Sequence, residues 1–170
     1  MTAAPFDPVT LLERLAGAGV EFVVIGGVAA RLHGSPSLTR DLDICHEATA
    51  ENLDRLASVL QGLHARLRGV DDDVPFLLDA RTLAAGSNFP FSTDAGDLDI
   101  FASPAGVEGY PDLVQRATEL HLDGLVVRLV DLDDLIRMKR AAARPKDLIE
   151  VEVLAALRDE VQGDGSAGRT

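Results

Sequence analysis

Val23-Val24-Ile25-Gly26-Gly27, followed after a short polar segment by Asp41-Leu42-Asp43-Ile44, carries the strongest structural signal in the chain. An apolar run ends on two glycines, and a second apolar run opens with carboxylates at positions i and i+2. Side chains alternate along a strand, so Asp41 and Asp43 project from one face, about 7 Å apart along the backbone. Two carboxylates converging on a half-buried strand repel each other and lose hydration. They coexist there only with a cation or a proton between them. All-oxygen ligands suit Mg²⁺, which shares its coordination with water and substrate phosphates. Paired glycines let the backbone approach such phosphates closely, with the N–H groups of the next helix directed at them.

Outward from this stretch, helical and strand patterns alternate. Asp7-Pro8 opens a helix that closes near Gly17, with Val9, Leu12, Leu15 and Ala16 on its core face. Phe22 to Ile25 reads as a buried strand and Gly27 to His33 as a short helix. Residues 34–40 read as a loop in which Ser35, Ser37 and Thr39 either donate to a phosphate or cap the local backbone. Arg40 points away from Asp41 on a regular strand and reads as half of a structural ion pair. Thr49 caps a helix from Ala50 to about Gly62, and Asp79 to Ala85 forms a helical turn. Asn88 to Thr93 and Asp97 to Phe101 form a hairpin around Asp94-Ala95-Gly96. A helix over Tyr110 to Glu119 precedes a second hairpin that turns at Asp123-Gly124. Asp131 caps a helix to about Ala142, and Pro145 opens a last helix with Leu148, Val151, Leu154, Ala155 and Leu157 as its apolar stripe. The pattern predicts an α/β (α+β) fold with a mixed, partly antiparallel sheet flanked by helices. Residues 1–162 read as one domain and 163–170 as a flexible tail.

The 170 residues give room for one sizeable core, and 46% hydrophobic with 26% charged residues is ordinary for a soluble globular chain. No apolar run approaches the roughly 20 residues that span a bilayer, and Met1 to Asp7 lacks the regions of a signal peptide. The single cysteine, Cys45, excludes an intrachain disulfide and suits a reducing cytoplasm. A net charge of −12 argues against an extended nucleic-acid surface. Arg137, Lys139, Arg140, Arg144 and Lys146 nonetheless fall in one acid-free window carrying +5, which leaves −17 for the rest. His33 and His46 have no second histidine at metal-binding spacing, and Asp71-Asp72-Asp73 reads as a solvated loop.

Ile25-Gly26-Gly27 together with Asp41-Leu42-Asp43-Ile44 resembles the signature of the nucleotidyltransferase superfamily, the DNA polymerase β-like enzymes. That signature is a hydrophobic residue, Gly, and Gly or Ser, then an acid-hydrophobic-acid-hydrophobic run on a strand. The resemblance implies a nucleotidyltransferase-like fold, Mg²⁺ as cofactor and an NTP as co-substrate. It implies Asp41 and Asp43 as metal ligands and Gly26 and Gly27 as the phosphate cradle. A third metal ligand is expected from a neighbouring strand, which selects Asp99 of Asp97-Leu98-Asp99-Ile100. Asp97 then reads as a turn-end residue, and the two Asp-Leu-Asp-Ile copies as coincident strand patterns.

Leu135 to Leu148, with Lys139, Arg144, Lys146 and Asp147, looks like the basic element of the abortive-infection (AbiEii) and MenT-type toxins within that superfamily. By that resemblance Lys139 contacts the triphosphate and Lys146-Asp147 completes the active site. A lysine there places a point charge on a flexible stem beside a leaving pyrophosphate. Those toxins usually carry Ser where this chain has Gly27, so a hydroxyl contact to phosphate is missing. The expected reaction is transfer of an NMP to an acceptor hydroxyl, with Asp41, Asp43, Asp99, Lys139 and Asp147 catalytic. Ser35, Thr39, Lys139 and Lys146 stand with the two glycines around the nucleotide. The toxin resemblance implies a tRNA 3′ end gripped by residues 137–146, and a cognate antitoxin. The acidic remainder suits a protein hydroxyl or a small molecule such as an aminoglycoside. The rival reading is a non-catalytic NTP-sensing or protein-interaction module on the same scaffold.

Overall fold

The computed structural model describes residues 3–167. Asp7 caps the first helix by accepting the Thr10 N–H at 3.0 Å, and Pro8 supplies a first residue with no amide hydrogen to satisfy. That helix, α1 (Pro8–Gly17), buries Leu11, Leu12 and Leu15. Val9, expected on the core face, is half exposed, because Leu11 beside Leu12 turns the buried stripe away from it. Strand β1 (Phe22–Ile25) is buried at every position, and α2 (Gly26–Leu32) begins on the next residue. β2 (Asp41–His46) runs back antiparallel to β1. α3 (Ala50–Gly62) is capped by Thr49 and packs Leu53, Leu56 and Leu60 into the core. β3 (Arg66–Leu67) is a two-residue strand that exists only by pairing with β4 (Asn88–Thr93). Between them α4 (Ala80–Ala85) is capped by Asp79.

β5 (Gly96–Phe101) completes the first hairpin; α5 (Tyr110–Val114), β6 (Thr118–Leu122), β7 (Leu125–Leu129), α6 (Leu132–Ala142) and α7 (Pro145–Ala167) follow. The helix expected over Tyr110 to Glu119 stops at Val114. Thr118 and Glu119 are instead drawn into the ladder opposite Leu129 and Arg128, a register set by the turn at Asp123 and Gly124, both at positive φ. α7 continues through Gly163 as far as Ala167, where the sequence pattern places a tail; residues 168–170 lie outside the described residues. Leu148, expected in the stripe of α7, is 51% exposed, while Val151 and Leu154 carry the packing.

Among the described residues the seven strands form one sheet in the order β3-β4-β5-β2-β1-β7-β6. It is mixed: β2 with β5 and β1 with β7 run parallel, and the other neighbours are antiparallel. The β2–β5 register sets Asp41 opposite Asp97, Leu42 opposite Leu98, Asp43 opposite Asp99 and Ile44 opposite Ile100. The two Asp-Leu-Asp-Ile copies are therefore adjacent rungs, not a coincidence. Their leucines and isoleucines point into the core and are fully buried, and the four aspartates share the other face. Among the described residues no helix is long and apolar enough to cross a membrane.

Candidate active site

The corner between β1 and α2 is built around two side chains that come from elsewhere. Gly26 has φ +66°, and a Cβ there would overlap the Asp43 carboxylate. Both conformation and space therefore require glycine. A Cβ on Gly27 would lie 2.7 Å from Thr39 Oγ1 and 2.8 Å from Thr39 Cβ. The volume that a serine at position 27 would fill is taken by the Thr39 hydroxyl, which lies 3.0 Å from Asp41 Oδ1 and donates to it.

Asp41, Asp43 and Asp99 each offer a carboxylate oxygen, and these atoms lie within 4.8 Å of one another. All three residues are part buried. Burial pushes the Asp43 carboxyl up to about 7, with the charges of Asp41 and Asp99 adding to it; the Gly27 N–H and Lys139 act in the opposite sense. Burial also raises Asp99, partly offset by Arg68. Three converging carboxylates of which one favours its proton are a site short of positive charge. The donor set is all hard oxygen, with no histidine or thiolate, and so fits Mg²⁺ or a cation like it.

Arg68, which follows β3, is a site residue that the sequence pattern does not single out. Its guanidinium spans two carboxylates, with Nη1 3.0 Å from Asp97 Oδ2 and Nη2 2.7 Å from Asp99 Oδ1. Asp97 is thus an ion-paired member of the acidic face, and not the turn-end residue expected. A two-residue strand leaves no periodic signal. The excess of carboxylates in the second Asp-Leu-Asp-Ile copy is the available sign that another cation is needed.

Across the cleft, α6 and α7 meet at Ala143, which is left-handed, and Asp147 sits 2% exposed beneath that corner. Arg144 donates to both Asp147 oxygens, at 2.6 and 3.2 Å, and Lys139 Nζ is 3.8 Å from Asp147 Oδ1. Burial alone would raise Asp147, but Arg144 and Lys139 hold it below the ordinary value. Asp147 also lines the cleft and faces the two cations, Arg144 and Lys139. Arg137 is likewise committed, at 3.0 Å to Asp112 and 3.0 Å to Asp134. Lys146 is exposed on the rim. Arg40 is exposed and, among the described residues, forms no ion pair, so the structural pair expected of it does not form there.

Ser35 is buried and does not line the cleft. Its hydroxyl donates to Glu150 Oε1 at 2.5 Å, and the Ser37 hydroxyl donates to Glu150 Oε2 at 2.5 Å. The expectation of Ser35 at a phosphate is therefore replaced by a clamp that ties the α2–β2 loop to α7. A long-range acid is the better partner for a hydroxyl that would otherwise be buried alone. Ser37 and Thr39 do line the cleft.

These elements enclose a cleft of about 560 Å³, within the range of small-ligand sites. Gly26, Gly27, Thr39, Asp41, Asp43, Asp99, Lys139 and Lys146 all line it. Leu38, Phe101, Pro104, Ala105, Met138 and Ile149 give it apolar walls.

No family model matches the chain, and no curated protein sequence does. Solved structures match its fold. The lincosamide antibiotic adenylyltransferase LnuA, in a lincomycin-bound crystal structure, superposes with a TM-score of 0.61 at 14% identity, covering 90% of this chain and 99% of that one. The antibiotic-resistance factor ANT(2'')-Ia in solution gives 0.53 at 18% identity, covering 94% of each chain. Its crystal structure with adenylyl-2''-tobramycin gives 0.50 at 20% identity, covering 91% of this chain and 98% of that one. At these identities the likeness is one of fold, and the fold is that of the nucleotidyltransferases.

Proposed function

We propose that this protein is a Mg²⁺-dependent nucleotidyltransferase that moves an NMP from an NTP to a hydroxyl group of a small molecule. The reading is carried by the convergence of Asp41, Asp43 and Asp99 beside the Gly26–Gly27 turn, in a cleft that Lys139 also lines. Asp41, Asp43 and Asp99 would hold the metal, which when bound supplies Lewis-acid polarisation of the phosphates. The N–H groups opening α2 approach the triphosphate, a contact that glycine permits. Asp99 takes the proton of the acceptor hydroxyl as its oxygen attacks the α-phosphorus in line. The bond from that phosphorus to the bridging oxygen breaks, and pyrophosphate leaves with the electron pair beside Lys139 and Lys146. Asp147 and Arg144 hold Lys139 in place.

The acceptor follows from the state of the basic window. Arg137 and Arg144 are paired to carboxylates, and Lys139 faces Asp147 inside the cleft. Little of the +5 is left to grip a polyanion, whereas the apolar walls suit a small organic acceptor. Of the structures that share this fold, the lincosamide antibiotic adenylyltransferase LnuA holds lincomycin and ANT(2'')-Ia holds adenylyl-2''-tobramycin, both of them small organic molecules. The test is incubation of the pure protein with Mg²⁺, labelled NTPs, a panel of hydroxylated antibiotics and total tRNA. Label on a small molecule supports the reading. Label on the tRNA 3′ end replaces it with the toxin-like reaction, and absence of label from every acceptor, with NTP still bound, replaces it with the binding module.

A further inference from the structure

The four carboxylates of β2 and β5 are not equivalent. Their register makes a two-by-two array, Asp41 opposite Asp97 and Asp43 opposite Asp99, yet only Asp41, Asp43 and Asp99 bring oxygens within reach of one ion. Asp97 has neither oxygen to spare. Its Oδ1 accepts the Ser92 hydroxyl at 2.9 Å and its Oδ2 pairs with Arg68 at 3.0 Å. The same guanidinium reaches Asp99 Oδ1 at 2.7 Å, and among the described residues the other Asp99 oxygen has no donor. Arg68 is itself fixed: its N–H donates to Pro90 O at 2.9 Å, extending the β3–β4 ladder, and Nη1 lies 3.4 Å from Phe91 O.

We propose that Arg68 is a positioning residue that divides this array, standing as the resident cation over Asp97 and Asp99 Oδ1. It thereby confines divalent-ion binding to Asp41, Asp43 and the remaining Asp99 oxygen, and holds Asp99 in the orientation the acceptor hydroxyl needs. A planar fork contacting two carboxylates at once fixes both, whereas an ammonium, as a point charge, fixes neither orientation. The kinetic consequence rests on the nucleotidyl-transfer reading. The metal consequence does not.

The test is Mn²⁺ titration of the nucleotide-free protein, read by electron paramagnetic resonance, beside steady-state kinetics. Arg68→Ala frees Asp97 and Asp99 and is expected to admit a second Mn²⁺ ion that Arg68→Ala/Asp97→Asn does not admit. In transfer, Arg68→Ala and Arg68→Lys are expected to lose about tenfold or more in kcat, with KM for NTP changed by less than about twofold. Should Arg68→Ala fail to fold, Arg68→Met keeps most of the apolar stem without the charge or the donors, and is expected to admit the same second ion. A single Mn²⁺ ion in the folded charge-free variant overturns the proposal, as does an unchanged kcat in Arg68→Ala. If no variant transfers a nucleotide, the nucleotidyl-transfer reading falls while the ion count still decides the role of Arg68.

Discussion

Replacing Asp43 with asparagine should stabilise the folded chain, and by an amount that depends on pH. The carboxyl stands at about 7 in the folded state against an ordinary 3.8, with burial the largest cause and Asp41 and Asp99 behind it. A group whose value is raised on folding binds its proton more tightly in the folded chain. Its contribution is therefore fully favourable below about pH 4 and is lost progressively as the pH rises toward 7. At about 1.4 kcal/mol for each pH decade, the loss across that window is about 4 kcal/mol before relaxation and water entry reduce it. The asparagine side chain is nearly isosteric, keeps an acceptor for the Gly27 N–H and cannot ionise, so the Asp43→Asn variant escapes the loss. For a chain of this length the gain corresponds to roughly 10 °C in melting temperature. The assay is thermal unfolding of both proteins in a chelator at about pH 5 and about pH 8. The variant should melt higher at both, by roughly 10 °C at the upper pH and by less than half of that at the lower one, where about 1.6 kcal/mol of the loss is already present. Mg²⁺ should raise the parent's melting temperature at the upper pH and leave the variant much less affected. Equal melting curves for parent and variant at both values would refute the reasoning, because the three carboxylates would then neither repel nor be short of a cation.

Other expectations follow from the same contacts. Asp41→Ala should abolish transfer while circular dichroism and melting show an intact fold. Gly27→Ser sets a Cβ 2.7 Å from Thr39 Oγ1 and should cost about 1–3 kcal/mol in chemical denaturation. Thr39→Gly in the same chain removes both the hydroxyl and the Cβ at 2.8 Å and should offset part of that loss, and additivity of the two changes would count against the packing described. Glu150→Ala leaves the Ser35 and Ser37 hydroxyls without their acceptor, so amide exchange over residues 35–39 should quicken and stability fall by about 1–3 kcal/mol. Raising salt from low to physiological ionic strength should change the acceptor KM by less than about twofold for a neutral small acceptor; a steep rise would mark phosphate gripping.

What is legible in advance is what the chain encodes over a few neighbouring residues. The alternation of Asp41-Leu42-Asp43-Ile44 sets one face toward the core and one toward a cation. The paired glycines mark a corner where something approaches closely, and the Asp123-Gly124 turn marks a hairpin. Each of these depends on local geometry with a period of two or on one backbone conformation. The reading weakens where a side chain's partner lies far along the chain. Nothing around Ser35 announces Glu150, 115 residues away, so a buried hydroxyl reads as free for phosphate. Lys139, Arg144 and Asp147 are close in sequence, but it is the turn at Ala143 that folds the acid under both cations and buries it. Gly27 reads as a missing hydroxyl in sequence, and in the fold Thr39 fills that space.

Arg68 is the case that explains the others. Asp43 and Asp99 look alike in sequence, each the second acid of an Asp-Leu-Asp-Ile run, and the parallel pairing of β2 and β5 sets them opposite each other. Equivalent neighbours would share one environment, but a short edge strand delivers a guanidinium to one run and not to the other. Asp43 has the Gly27 N–H and Lys139 but no guanidinium against burial and two like charges, and is pushed up to about 7. Asp99 is raised as well, but with Arg68 working against the rise. The asymmetry that gives one acid an arginine and leaves the other in need of a metal is a property of strand order. Strand order is settled by the whole sheet, and so it could not be read from either motif.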